Sequence, residues 1–330
     1  MRERPRIAVI GAGAIGSLVA GRLAIAGLDV TLLARGERFA RLRADGLTIR
    51  TPEEAVHVPI DVVEALPESS FDILISAVKA WSLPQLAPVL AAAAKPGAPL
   101  LPLVNGMPWW YFQDGMPVCA TVGAVDPEGM LASTFPAARI VGSVVYARAA
   151  LDERGDVVSQ GKERFLLGAV CAGGAAVVDR LAAVMRHGGF PVEISHAIRR
   201  EVWTKLALNL STNPLSVVSG SSLEEMARDP ALRAVVAAIL AETLELAGKL
   251  GYQPEPDVEQ LLRVCAAAGP FMTSMAQDFA KGLPLELGAI ADATFEAAER
   301  CGHAMPAARA VAALAWHRAL RKEPKRLRDS

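Results

Sequence analysis

"IAVIGAGAIGSLVAGRLAIAGLDVTLLARGE", Ile7 to Glu37, admits two readings that lead to different proteins. A secretion signal has a basic start, about 7–15 apolar residues and a small-residue cleavage site. Arg2, Arg4 and Arg6 precede the stretch, and Ile7 to Gly21 carries no charge. Against that reading, Gly11, Gly13 and Gly16 fall at the G-x-G-x-x-G spacing, with Ala12, Ala14 and Ile15 between them. They directly follow the β-favouring run Ile7–Ile10 and directly precede an Ala/Leu-rich segment that reads as helix up to Gly27. A dinucleotide site needs that phasing. The first glycine allows the tight turn, the second lets the backbone approach a pyrophosphate, and the third lets helix and strand pack closely, with the helix N-terminus offering N–H groups to phosphate. A signal peptide has no use for it.

A G-x-G-x-x-G alone is a weak signal, but a second strand candidate, Val30–Ala34, completes strand-helix-strand within about thirty residues. At its end stands Arg35, nineteen residues after Gly16, where an NAD enzyme places an acid for the ribose 2′-hydroxyl. A guanidinium there can take a 2′-phosphate in two parallel hydrogen bonds, which points to NADP(H) rather than NAD(H). The competing reading is a solvated loop charge paired with Glu37.

A chain of 330 residues suggests two domains with ample core, and 52% hydrophobic with 21% charged residues suits a soluble globular protein. No apolar run approaches the roughly eighteen residues of a membrane span. A net charge of −1 argues against nucleic acid as a main partner, and the basic stretch Arg318–Arg328 reads as a helix end with a short tail. The cysteines Cys119, Cys171, Cys265 and Cys301 form no C-x-x-C pair and the five histidines no metal-binding spacing, so the sequence predicts no metal site, and buried thiols in a reducing cytoplasm. His187, before Gly188-Gly189, reads as a helix C-terminus cation with its glycine stop.

Strands and helices alternate along the first half. Phe71–Val78 reads as a strand buried on both faces, Leu83–Ala94 as helix, and Pro99–Val104 as another strand. Shorter β-like pieces follow from Val118 to Gly168, among them Ile140–Ala147 and Arg164–Leu167; a helix at Ala175–His187 and a strand at Pro191–Ile194 come next. From His196 the pattern is helical, with long amphipathic stretches at Ala231–Leu250, Pro284–Arg300 and Pro306–Arg321. The expected architecture is α/β: a Rossmann-type doubly wound sheet with extra strands over residues 1–195, and an all-α substrate and dimerisation domain over 196–330. Two unlike domains suggest a ligand cleft between them.

Three segments place polar residues where a core would not want them. Lys205, Asn209 and Asn213 are spaced i, i+4, i+8 and share one helix face, an amine and two amides in a row amid Trp203, Leu206, Ala207 and Leu210. Ser274, in Thr273–Asp278, precedes Glu286 by twelve residues, and Glu286 lies between leucines. Lys79-Ala80-Trp81 and Asn105-Gly106 each follow a predicted strand, where the crevice of an open α/β sheet lies.

Together these residues resemble the ketopantoate reductase (2-dehydropantoate 2-reductase) family. The resemblance covers nearly the whole chain: the glycine loop, Arg35, Lys79-Ala80-Trp81, Asn105-Gly106, Arg199–Pro214, and Ser274 with Gln277-Asp278 and Glu286. It implies NADPH-dependent reduction of a 2-oxo acid to a 2-hydroxy acid in pantothenate synthesis. By that resemblance Lys205 is the proton donor to the carbonyl oxygen. Lys205, Asn209, Asn213 and Ser274 then meet substrate, while Lys79, Asn105 and Glu286 lie along the cofactor with Gly11–Gly16 and Arg35.

The chemistry is consistent on its own terms. Hydride transfer to a ketone builds negative charge on oxygen, which an ammonium group can stabilise and protonate, and a carboxylate such as Glu286 can tune that lysine. Two departures concern the substrate. Asn105-Gly106 is followed by Met107-Pro108-Trp109-Trp110-Tyr111-Phe112, and Phe271 stands three residues before Ser274. Either these aromatics face the substrate and favour a bulkier or other branched 2-oxo acid, or they pack under the cleft or at a subunit contact. An NADP(H)-binding sensor without turnover is a further alternative, disfavoured because a sensor has no need of Lys205, the Asn pair and Glu286. The long helices would support a homodimer.

Overall fold

The structure, a computed structural model, describes residues 4–113, 121–161 and 163–322. Val118, Cys119 and the stretch beyond Lys322 lie outside the described residues. The chain forms two compact units. Among the described residues one holds those up to Val104, then Phe112, Gln113 and Thr121, and Glu128–Ile198, and the other holds 105–111, 122–127 and 199–322.

In the first unit the opening stretch folds as β1 (Arg6–Ile10), the glycine loop, α1 (Ala14–Ile25) and β2 (Asp29–Leu33). After α2 (Gly36–Asp45) come β3 (Leu47–Arg50), β4 (Ala55–Val58), β5 (Asp61–Val63), β6 (Ile73–Ser76), α3 (Leu83–Ala93) and β7 (Leu100–Pro102). Five of these strands make one parallel sheet in the order β5-β2-β1-β6-β7, with Ile7 aligned to Val30 on one side and Ile73 on the other. The strand order reverses between β1 and β6. That is the switch point where doubly wound sheets open a crevice at their carboxyl ends.

The extra strands form two further groups. Following α4 (Met130–Thr134), β8 (Val141–Tyr146) pairs antiparallel with β11 (Arg164–Ala169); after α5 (Ala175–His187), β12 (Val192–Ile194) pairs parallel with β11. A bridge from Leu100 to Ile140 joins this group to β7. The second group sets β9 (Ala149–Leu151) and β10 (Val157–Ser159), within the stretch read as short β-like pieces, beside β3 and β4, which the sequence reading did not pick out, in the order β4-β3-β10-β9. It packs against α1. A Cβ at Gly21 would lie 2.6 Å from Ile49 Cδ1 and 2.9 Å from Leu47 Cδ2, so the glycine permits the close approach. Helix α1 therefore buries Leu18, Val19, Ala20 and Leu23 and is apolar nearly all round, as a helix covered on both sides must be. That burial, and not export, explains its signal-like composition. Helix α5 ends as read, with His187 Nε2 3.1 Å from the Ala26 carbonyl and Gly189 at φ +75°.

The second unit is helical: α6 (Ile198–Ser219), α7 (Leu223–Arg228), α8 (Pro230–Lys249), α9 (Val258–Ala267), α10 (Ser274–Ala280), α11 (Ala293–Arg300) and α12 (Pro306–Lys322). Ala207, Leu215, Met226, Leu240, Leu244 and Leu261 form its core. Capping boxes start α7 (Ser222 with Glu225) and α9 (Asp257 with Gln260). The helix read over Pro284–Arg300 is corrected: Leu283–Leu285 are non-helical, and Gly288–Asp292 form a π-turn leading into α11. Hydrophobic periodicity does not register one extra residue in a turn. Among the described residues no helix is long and apolar enough to cross a membrane.

Candidate active site

The glycine loop is built for close backbone approach. Gly11 adopts φ +102°, and a Cβ there would meet Val78 Cγ1 at 2.8 Å; a Cβ at Gly16 would fall 1.9 Å from the Gly11 carbonyl oxygen. At Gly13, by contrast, a Cβ would meet nothing within 4 Å. The loop is thus tight against β6 and α1 on one side and open at Gly13. No side chain caps α1, so the first-turn N–H groups of Ala14, Ile15 and Gly16 remain available to an anion. A dinucleotide pyrophosphate fits this cradle.

Arg35 lies two residues past β2 and directly before α2, extended in backbone and exposed in side chain. Among the described residues it makes no ion pair with Glu37, so the pairing considered from the sequence is not formed. Lys79 is half-buried just past β6, its carbonyl accepting from Ser82 Oγ at 2.9 Å. Sequence reasoning missed Arg38. Its guanidinium donates to the Ala12 carbonyl (3.0 Å), to Ser17 Oγ (3.1 Å) and to the Gly155 carbonyl (2.7 Å). One side chain so ties the glycine loop, α1 and the turn between β9 and β10 together. Its position three residues after Arg35 on α2, one turn along the same face, was the available signal.

The helical unit holds the second group. Helix α6 carries Lys205, Asn209 and Asn213 along one face as predicted; Asn213 is buried and Asn209 half-buried. Neither side-chain amide is hydrogen-bonded among the described residues. Lys205 Nζ donates to Asn105 Oδ1 at 2.8 Å, and Asn105 Nδ2 donates to Glu286 Oε2 at 3.3 Å. Burial lowers the Lys205 pKa to about 8, and the Glu286 carboxylate opposes that fall. An amine poised near neutrality suits a group that must give up a proton.

Asn105 is placed by its neighbours. Gly106 has φ +85°, a Cβ there would fall 2.3 Å from the Ala289 carbonyl oxygen, and Met107 N–H donates to that same oxygen at 2.8 Å. The segment 105–107 thus docks on the π-turn. Ser274 opens α10 and is exposed; the preceding Thr273 accepts from Ala276 N–H and shares a 2.6 Å hydrogen bond with Ser216 Oγ, one turn beyond Asn213. The start of α10 is so tied to the Asn-bearing helix. The aromatics after Asn105 resolve toward packing. Trp109, Trp110, Tyr111 and Phe112 are buried. Tyr111 stands edge-on to Trp203 and Tyr252, and its hydroxyl accepts from Trp203 Nε1 at 2.5 Å. Phe271 is half-buried, its carbonyl accepting from Leu223 N–H.

Comparison with known proteins shows the family of the chain. The family model "Ketopantoate reductase PanE/ApbA" matches residues 7–171, and its C-terminal companion matches residues 197–319. The 2-dehydropantoate 2-reductase of Mesorhizobium japonicum is 33% identical over 317 residues, covering 94% of this chain and 96% of its own. That of Archaeoglobus fulgidus is 26% identical, over 90% of this chain and 92% of its own. Among solved structures, the 2-dehydropantoate 2-reductase of Geobacter metallireducens GS-15 superposes with a TM-score of 0.83 at 26% identity, covering 94% and 99% of the two chains. A D-mandelate dehydrogenase reaches the same TM-score at 21% identity over 96% and 99%, a likeness of fold. A parallel sheet with a glycine cradle, a helical unit with a half-buried lysine of lowered pKa, and family matches over most of the chain lead to one conclusion: the chain is an oxidoreductase and belongs to the ketopantoate reductase family.

Proposed function

We propose that the protein reduces 2-dehydropantoate to pantoate with NADPH, in the biosynthesis of pantothenate and coenzyme A. The observation that carries this reading is the Lys205–Asn105–Glu286 array, an amine of lowered pKa hydrogen-bonded through an amide to a carboxylate. The bound nicotinamide supplies the hydride. Lys205 places its ammonium at the substrate's carbonyl oxygen, stabilises the charge that develops there and delivers the proton. Asn105 fixes the direction of that ammonium, and Glu286 keeps the lysine from losing its proton too easily. Asn209 and Asn213 hold the acid's carboxylate and hydroxyl in register, with Ser274 at the start of α10. Gly11–Gly16 receive the pyrophosphate, and Arg35, with Lys79 beside the loop, takes the 2′-phosphate end.

The test is oxidation of NADPH and of NADH by the purified protein with 2-dehydropantoate, other branched 2-oxo acids and aryl 2-oxo acids. The reading expects the highest kcat/KM with 2-dehydropantoate and NADPH. A higher value with a bulkier oxo acid would keep the chemistry and move the substrate. No turnover with any of them would favour a binding protein.

A further inference from the structure

The π-turn Gly288–Asp292 stands between the carboxylate of Glu286 and the regular helix α11. A π-turn closes hydrogen bonds one residue further along than an α-helix does, and such bulges recur at functional sites. One residue added to a helix rotates everything before it by about 100° relative to the rest. The bulge therefore decides which way Glu286 faces. It also offers the Ala289 carbonyl to Met107 N–H and leaves room for Gly106, which sets Asn105 in front of Glu286. Two contacts anchor the turn's far end. Thr294 Oγ1 donates to the Ile290 carbonyl at 2.8 Å, and Trp316 Nε1, from α12, donates to Asp292 Oδ1 at 3.3 Å.

We propose that Asp292 and Trp316 are positioning residues that hold the π-turn, and through it Glu286 and Asn105, in the register the Lys205 ammonium requires. The inference deepens the functional reading above and rests on Lys205 being the proton donor. Neither side chain was singled out by the sequence, because their partnership is made across 24 residues and two helices.

Asp292→Ala, Asp292→Asn and Trp316→Phe separate the possibilities. An amide oxygen still accepts from the indole, so Asp292→Asn should stay close to wild type. Asp292→Ala and Trp316→Phe should each lower kcat by about tenfold, the scale of one lost hydrogen bond, while NADPH affinity holds within about twofold. Glu286 drifting from Asn105 withdraws the influence that raises the lysine's proton affinity, so the alkaline limb of the kcat profile should move to lower pH. Wild-type kcat and an unmoved limb in both variants would overturn the proposal. So would equal losses in Asp292→Asn and Asp292→Ala, which would make the charge and not the hydrogen bond the agent. Should Trp316→Phe fold poorly, the Asp292 pair decides alone. Lys205→Ala, assayed alongside, keeps the two questions apart: if it retains activity, the functional reading fails first; if it is inactive while the Asp292 and Trp316 variants behave as wild type, only the positioning role fails.

Discussion

Lys205 and Asn105 are a hundred residues apart in sequence, yet the ammonium donates to the amide oxygen across 2.8 Å. The bond aims the ammonium of a half-buried side chain. An amide oxygen steers a proton without taking it, so the lysine stays both directed and able to react.

Lys205→Ala should lower kcat by about 10²–10⁴, the range of a lost general acid, with NADPH binding unchanged. The ammonium matters most once charge has formed on the carbonyl oxygen, so its loss is felt more in the transition state than in the ground state. Lys205→Arg should recover substrate binding better than rate, since a guanidinium keeps its proton. Single-turnover reduction at saturating NADPH is the measurement; a rate within a few-fold of wild type would remove Lys205 from proton transfer.

The pH profile follows from a Lys205 pKa of about 8. Below that value the amine holds the proton that reduction consumes, so kcat should be level at lower pH and fall above about 8. Oxidation of the hydroxy acid requires the neutral amine and should show the opposite limb. In Glu286→Gln the opposing carboxylate is gone, burial acts unchecked, and both limbs should move to lower pH. A shift to higher pH would show that Glu286 acts on another group.

Arg35 and Arg38 should behave differently toward the two nicotinamide cofactors. Arg35→Asp repels a 2′-phosphate and can accept from a 2′-hydroxyl, so NADPH affinity should fall by about tenfold to a hundredfold while NADH gains. Arg38 spends its donors on Ala12, Ser17 and Gly155. Arg38→Met should therefore loosen the pyrophosphate cradle and weaken NADPH and NADH alike. Dissociation constants for both cofactors, measured by nucleotide fluorescence, distinguish a phosphate ligand from a loop brace.

Asn209→Ala and Asn213→Ala should raise KM for the oxo acid far more than they alter NADPH binding. Both amides lack hydrogen-bonding partners among the described residues, and a polar group kept in a buried setting is costly unless a ligand meets it. If NADPH affinity drops while KM holds, this face of α6 serves the cofactor instead.

Gly106→Ala forces a methyl group into the Ala289 carbonyl, 2.3 Å from its oxygen, in a backbone region that L side chains avoid. Overpacking of this kind costs about 1–3 kcal/mol, and relief requires the 105–107 segment to lift from the π-turn. A lowered Tm together with a lowered kcat is expected. An unchanged kcat would mean that Asn105 is positioned by something else.

Local signals explain what was legible in the sequence. The β1–α1–β2 unit follows from three spaced glycines and the switch from strand to helix period, and the Lys205–Asn209–Asn213 face from i, i+4 spacing. The long-range pairings left no such mark. Asn105 and Glu286 stand 181 residues apart, and nothing local to either announces the other. Strands β3 and β4 are only four residues each; Leu47 and Ile49 do alternate with Thr48 and Arg50, but two repeats are too few to separate a strand from a loop. The aromatic run after Asn105 could equally have lined a pocket. Only tertiary packing on Trp203 and Tyr252 decides that Tyr111 is core.

Two short excursions of the first half belong to the helical unit: 105–111, which docks on the Ala289 carbonyl, and 122–127, whose Gly123 and Ala124 N–H groups donate to Glu296 at 3.0 and 3.1 Å. A gene cut between Ser195 and His196 would separate two regular architectures and still divide the hydrogen-bonded array, leaving the lysine and the carboxylate on one product and the amide that joins them on the other. The two halves are thus separable as shapes but not as heritable parts: recombination that exchanged one of them would have to bring a matching Asn105 segment along with it.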